Sequence, residues 1–181
     1  MAEIILITGG ARSGKSRHAQ VLAETLPGER IFIATSPVID EEMRKRIERH
    51  QAERQGQGWE TFEEELDPAA VLAGHPEAKV VLLDCLTLWV SNLLFAAEEP
   101  EYFTEAKIGE LAAELVAAAQ QRRGTVLIVT NEVGLGIVPE NPLARRYRDL
   151  VGRCNQTVAA GADRVDLVTC GIPLTIKGEK A

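Results

Sequence analysis

Cysteine is scarce in this 181-residue chain, and the three present, Cys85, Cys154 and Cys170, form no C-x-x-C pair. That spacing excludes a disulfide framework and a cysteine-built zinc site, so the thiols are expected to be reduced and mostly buried. Positive charge is in deficit as well. Twenty Lys and Arg stand against 27 Asp and Glu, a net charge of −7, which argues against a nucleic acid as main partner. Long apolar runs are missing too. Leu86 to Phe95 is interrupted by Ser91 and Asn92, and at about ten residues it reaches only half of a bilayer span. The opening run Ile4 to Ile7 is too short, and too soon followed by glycines and Arg12, to act as a secretory signal. There is no repeat, low-complexity tract or linker long enough to separate domains. With 45% hydrophobic and 26% charged residues the balance is that of a globular protein. Residues 1–181 therefore read as a single domain of a cytoplasmic enzyme.

What the sequence does contain is a complete phosphate-binding loop. Gly9, Gly10, Ala11, Arg12, Ser13, Gly14, Lys15 and Ser16 match G-x-x-x-x-G-K-[ST] directly after the apolar run Ile4 to Thr8. Gly9 and Gly14 let the backbone wrap so that its N–H groups face phosphate oxygens. Lys15 is placed to bridge the β- and γ-phosphates, and the Ser16 hydroxyl to bind Mg²⁺. Ala19, Leu22, Ala23 and Leu26 then recur at helical spacing, so the start of a helix adds its positive dipole end. The element predicts binding of a nucleoside triphosphate.

Strand and helix patterns alternate along the chain, which predicts an α/β fold with a mainly parallel sheet covered on both faces. Expected strands are Ile4–Thr8, Arg30–Thr35, Lys79–Asp84, Thr125–Thr130 and Arg164–Thr169. A last extended piece, Leu174–Lys177, is expected after a Gly171-Ile172-Pro173 turn, as an antiparallel edge. Ile108, Leu111, Ala112, Leu115, Val116 and Ala119 keep helical spacing over three turns. Another helix follows Asn141 and Pro142, with Leu143, Tyr147, Leu150, Val151 and Cys154 as its stripe. Gln55 to Gly74 gives no clear pattern.

Two further elements point to chemistry. Val80 to Leu83 closed by Asp84 looks like a strand whose terminal carboxylate joins the Mg²⁺ shell, although buried strands often end in Asp at a turn. On a helix expected over Asp40 to Arg54, Met43, Ile47, His50 and Arg54 share one face. Spacing alone favours a half-buried His50 bonded to a carbonyl; the other reading is a neutral imidazole attacking phosphorus.

The motifs extend well beyond the loop. Ile33-Ala34-Thr35-Ser36, Glu42-Met43 to His50, Leu83-Asp84-Cys85-Leu86-Thr87, Ser91-Asn92-Leu93-Leu94, Asn131-Glu132-Val133-Gly134-Leu135-Gly136-Ile137-Val138-Pro139 and Gly171 to Lys177 resemble, nearly end to end, the bifunctional adenosylcobinamide kinase/adenosylcobinamide-phosphate guanylyltransferase family. The resemblance implies a P-loop NTPase with a RecA-like sheet, Mg²⁺ (or Mn²⁺) as cofactor, ATP and GTP as substrates, and a corrinoid acceptor. It implies phosphorylation of the acceptor's aminopropanol hydroxyl, then GMP transfer through a guanylyl group on His50. Lys15 is the second catalytic residue so implied. Nucleotide contacts carry over to Gly9 through Ser16, to Ala34, Thr35 and Ser36, to Gln51, Ala52, Glu53 and Arg54, and to Glu63 and Asp84; Ser16 and Asp84 would face the metal. The resemblance also favours a homo-oligomer.

Two other classes compete. A GTP-dependent switch usually reads guanine with Asn-Lys-x-Asp, yet Asn131 is followed by Glu132 and Val133. A plain small-molecule kinase commonly carries an Arg-rich lid, whereas basic residues here cluster at Arg44–Arg54 and Arg145–Arg153. Of the other side chains, His18 is expected in packing or on a helix surface, His75 in an exposed turn, Trp59 as a packing anchor, and Arg54 as either a phosphate contact or a solvated helix-end base. Glu132 is expected to order the loop or the substrate.

Overall fold

Seven short runs, most of them rich in Ile, Val and Leu, pair into one sheet in a computed structural model that describes residues 1–37, 41, 54, 56–99 and 102–179. In chain order the strands are β1 (Glu3–Gly9), β2 (Arg30–Ala34), β3 (Trp59–Glu63), β4 (Val80–Asp84), β5 (Thr125–Val129), β6 (Arg164–Thr169) and β7 (Ile172–Lys177). Their order across the sheet is β3-β2-β4-β5-β1-β6-β7. All pairs are parallel except β6 with β7. The phosphate-loop strand β1 is thus separated from the acid-bearing strand β4 by β5.

Successive residues of a strand face opposite ways, and both faces are apolar. Ile5, Ile7, Val80, Leu82, Leu127 and Val129 pack beneath α1 (Lys15–Thr25) through Ala19 and Ala23. Ile4, Leu6, Val81, Leu83, Val126 and Ile128 form the larger core with α2 (Pro68–Gly74), α3 (Leu86–Ala96), α4 (Glu105–Gln120) and α5 (Pro142–Gly161). Near-continuous apolar strands are what a doubly covered parallel sheet demands.

Helix starts follow local chemistry. Asp67 accepts from Ala70 N, Thr104 from Lys107 N, and Asn141 from both Leu143 N and Ala144 N, capping α2, α4 and α5. By contrast α1 and α3, which begin just beyond β1 and β4, have no side-chain cap.

Several expectations shift. Gln55 to Gly74 contains an edge strand, β3, and a short helix, α2. Ile172 and Pro173 belong to β7, because the turn tightens onto Cys170 and Gly171, both left-handed at φ 52 and 79. Pro173 is tolerated because β7 lies at the edge of the sheet. On α5, Leu143 stays 44% exposed and full burial starts at Leu150, so the helix's first turn stands clear of the core. Among the described residues no helix is long and apolar enough to cross a membrane.

Candidate active site

Register brings the candidate residues to one edge. Ala34 pairs with Glu63 on one side and Asp84 on the other, and Asp84 pairs with Val129. Val129 pairs in turn with Ile7, and β1 runs on to Gly9. Glu63, Ala34, Asp84 and the phosphate loop therefore follow one another along the carboxyl ends of parallel strands, where α/β sheets bind ligands.

The loop is folded tightly at its first glycine. A Cβ on Gly9 would overlap the Val168 carbonyl and lie 2.6 Å from Ser13 Oγ, so only glycine fits there. Gly14 is left-handed at φ 95, and His18 N donates to Gly14 O at 2.9 Å to start α1. Lys15 is 9% exposed, and its Nζ donates to Gly10 O at 3.1 Å, folding the ammonium over the loop. Within the loop Ser13 N donates to Gly10 O at 3.2 Å. Thr8 Oγ1 and Ser13 Oγ are buried without a hydrogen-bond partner among the described residues.

Beside the loop, Thr35 locks the end of β4. Its buried hydroxyl donates to Cys85 O at 2.7 Å and accepts from Cys85 N at 2.8 Å, while Thr35 N donates to Asp84 O at 3.2 Å. Asn92 of α3 donates to Thr35 O at 2.8 Å and Glu65 O at 3.1 Å. Cys85 itself is no nucleophile. Burial, reinforced by the Asp84 charge, pushes its thiol up to about 11, against opposing effects of Thr87, the Leu88 backbone and Lys15. Tyr147 donates to Thr87 O at 3.0 Å, and burial together with Cys85 raises its phenol to about 12.

The loop after β5 is pinned at both ends. Glu132 N donates to Gly9 O at 3.0 Å, which ties it directly to the phosphate loop. Asn131 Nδ2 donates to Thr87 Oγ1 at 3.3 Å, and Asn155 donates to Asn131 O at 3.1 Å. Arg148 holds Gly134 O at 2.8 Å, and Arg145 holds Pro139 O at 3.0 Å and Glu140 O at 2.6 Å. Between these ties Leu135, Ile137 and Val138 stand exposed at 83%, 96% and 60%.

Comparison with known proteins decides the family. The model of the cobinamide kinase / cobinamide phosphate guanyltransferase family matches residues 5–176. The chain belongs to this family. It is 46% identical to the bifunctional adenosylcobalamin biosynthesis protein CobU of Salmonella typhimurium, over 96% of this chain and 99% of the relative. The Escherichia coli protein of the same name is 45% identical with the same coverage. The bifunctional adenosylcobalamin biosynthesis protein CobP of Pseudomonas aeruginosa is 42% identical over 96% of this chain and 97% of its own.

Within this member of the family, the sequence-derived candidates divide in two. Gly9 to Ser16, Ala34 to Ser36, Glu63 and Asp84 meet at the sheet edge described above. His50, Gln51, Ala52 and Glu53 lie outside the described residues, as do Met43 and Ile47. Arg54 is described, and it is no solvated helix end: it is 6% exposed, with its guanidinium 3.6 Å over the Phe32 ring. Trp59 packs edge-on against Phe32 with centroids 6.2 Å apart, the anchor expected. His75 is half-buried against Phe62 at 4.2 Å, not an exposed turn residue. His18, read as packing or surface, contacts the buried Asp166 carboxylate at 3.0 Å.

A hard cation would suit part of this edge. Among the described residues no three His, Cys, Asp or Glu side chains gather as a metal cage. Ser16 offers a hydroxyl and Asp84 a carboxylate, the kind of hard oxygen donors that Mg²⁺ takes beside water and phosphate oxygens.

Apolar patterns and motifs do not reveal the bonds that support the site: Thr35 on Cys85, Asn92 on Thr35, Asn155 on Asn131, and the β6–β7 turn on Ser13, where Gly171 N donates to Ser13 O at 2.8 Å. One signal was available. Arg164 and Asp166 alternate on one face of an otherwise apolar strand, and charges so placed must be paired.

Proposed function

We propose that this chain phosphorylates adenosylcobinamide with ATP or GTP, then transfers GMP from GTP to adenosylcobinamide phosphate with release of pyrophosphate. Both reactions would use one nucleotide site within a single domain spanning residues 1–181. Near-full-length similarity to bifunctional adenosylcobalamin biosynthesis proteins carries the reading.

In the kinase step the acceptor alcohol attacks the γ-phosphorus in line and the nucleoside diphosphate leaves. Such transfer needs positioning and charge stabilisation more than covalent help. Loop amides from Gly9 to Ser16, and the α1 start that no side chain caps, are suited to hold the phosphates. Lys15, whose Nζ lies over the loop at 3.1 Å from Gly10 O, would reach the β- and γ-phosphate oxygens. Ser16 and Asp84 would hold Mg²⁺ or Mn²⁺, whose charge would offset that of the phosphates. For GMP transfer, the His50 imidazole attacks the α-phosphorus and pyrophosphate leaves. An oxygen of the acceptor phosphate then attacks the same phosphorus and releases His50. Ala34, Thr35, Ser36, Gln51, Ala52, Glu53, Arg54 and Glu63 complete the nucleotide contacts. Arg54, anchored over Phe32, brings a fixed cation four residues beyond His50.

The loop carrying Leu135, Ile137 and Val138 offers apolar surface beside the phosphate loop for the corrinoid, with Glu132 ordering its base. A homo-oligomer in the cytoplasm completes the proposal. Its support is the edge strand β7, where Ile172, Leu174 and Ile176 share one face and are 69%, 58% and 58% exposed.

The deciding experiment uses GTP labelled at the α-phosphate. The protein should gain an acid-labile guanylyl group, and His50→Ala should lose both that label and GMP transfer while retaining phosphorylation of cobinamide. Label persisting in His50→Ala, or mapping to another residue, refutes the mechanism.

A further inference from the structure

Behind the phosphate loop lies a polar network that no step above uses. Asp166 of β6 is completely buried, and its carboxylate meets four hydrogen bonds. Arg164 donates from Nε to Oδ1 at 2.9 Å and from Nη2 to Oδ2 at 2.8 Å. Thr175 Oγ1 donates to Oδ1 at 2.8 Å, and His18 Nε2 lies 3.0 Å from Oδ2. An ionised carboxylate only accepts, so His18 carries a ring proton on Nε2.

The four bonds have different consequences. Arg164 and Thr175 both belong to the β6–β7 hairpin, and the bidentate Arg164 already compensates the buried charge. His18 comes from another element, α1, at the position three residues beyond Lys15 and therefore on the adjoining turn. Its bond is the one that fastens α1 to the hairpin. A second fastening comes from the turn of the same hairpin, where Gly171 N donates to Ser13 O at 2.8 Å. Residues 13 and 18 bracket Gly14, Lys15 and Ser16, so the second half of the phosphate loop is held on both sides by one support.

We propose that the β6–β7 hairpin is the positioning element of the phosphate loop and that His18, through Asp166, is its positioning residue for the triphosphate in both reactions. The inference rests on the nucleotide-binding reading above, but not on the identity of the acceptor. Loss of the His18 bond would let the first turn of α1 tilt, moving Lys15 and the loop amides off the phosphates, while Arg164 keeps Asp166 paired and the fold intact. The displaced groups are lost to the ground state and the transition state alike, which weakens nucleotide binding and lowers kcat/KM in both reactions.

The test compares His18→Ala, His18→Gln and Thr175→Val by direct titration of fluorescent ATP and GTP analogues, by steady-state kinetics and by thermal melting. His18→Ala should weaken both nucleotides about tenfold and lower kcat/KM by at least as much in both reactions. His18→Gln, which presents an N–H at similar reach, should recover most of the affinity. Thr175→Val removes a bond to the same carboxylate without touching α1; it should lower Tm and leave nucleotide affinity unchanged. Unaltered affinity in His18→Ala, or an equal loss in Thr175→Val, overturns the proposal. If His18→Ala does not fold, His18→Leu, which keeps the volume, is read in the same way. The titration contains no corrinoid, so a wild-type protein that binds nucleotide but leaves cobinamide unmodified refutes the proposed function alone.

Discussion

At the scale of single residues, Lys15 has the plainest consequence. Lys15 is 9% exposed as a residue, with its ammonium at hydrogen-bond distance from Gly10 O, and both proposed reactions need the same triphosphate in register. Lys15→Ala should therefore lose at least about a hundredfold in kcat/KM for kinase and GMP transfer together. Coupled assays on protein shown to be folded by circular dichroism would check this, and loss of one activity alone would argue against a shared site. Lys15 was legible because its motif is contiguous: loop, strand and helix lie within a few residues, so local spacing carries the geometry. Thr35 and His18 were not legible in the same sense. Thr35 reaches Cys85 across 50 residues and His18 reaches Asp166 across 148. Pairing over such distances depends on strand order and register, which a pattern of apolar residues leaves open.

Elements show the same division. The buried strands were readable to within a residue or two because runs such as Val80-Val81-Leu82-Leu83 admit few alternatives. The edge strand β3 was hidden, since every residue of Trp-Glu-Thr-Phe-Glu retains some exposure and flanking glycines and acids mask it. Helix α2 was hidden for a different reason. At seven residues it is too short to persist by itself, and its end is held by a residue far along the chain. Arg122, 5% exposed, donates to the carbonyls of Leu72, of His75 at 2.7 Å and of Ala78 at 2.9 Å. The guanidinium thus satisfies the last-turn carbonyl of Leu72, as a C-cap would, and ties the helix end to the segment leading into β4. Arg122→Met keeps the aliphatic bulk but takes the guanidinium donors from the buried carbonyls of Leu72 and Ala78, while His75 O keeps its bond from Ala78 N at 3.3 Å. It should cost about 2–4 kcal/mol in urea unfolding. Because these carbonyls lie where β4 begins, away from the edge that carries Asp84, nucleotide affinity should be unchanged. A variant as stable as wild type would show that water replaces the guanidinium without loss.

At the scale of the whole molecule, alternation of strands and helices was enough for the fold class, while the placement of β5 between β1 and β4 needed the structure. Folding also sets how stability responds to pH, through groups whose ionisation changes on burial. Burial alone would raise the Asp166 carboxyl, but hydrogen bonds from Arg164, His18 and Thr175, with the Arg164 charge, outweigh it and hold the pKa below the ordinary carboxylate range. The folded protein therefore binds fewer protons there than the unfolded chain. Its contribution is complete above about pH 3.9 and disappears as pH falls through the lower folded value. Cys154 behaves oppositely: burial raises its thiol to about 12, so its contribution is present below the ordinary thiol value of about 8.5 and is lost as pH rises toward the folded one. Cys85 acts in the same direction. Stability should accordingly form a plateau between about pH 4 and pH 8.5, with a limb on either side. Urea unfolding across pH would test both limbs separately. Asp166→Asn should be less stable than wild type at neutral pH, with the difference narrowing in acid. Cys154→Ala should shallow the alkaline limb and leave the acid limb alone. Parallel curves for wild type and both variants across the whole range would mean that neither group titrates with folding.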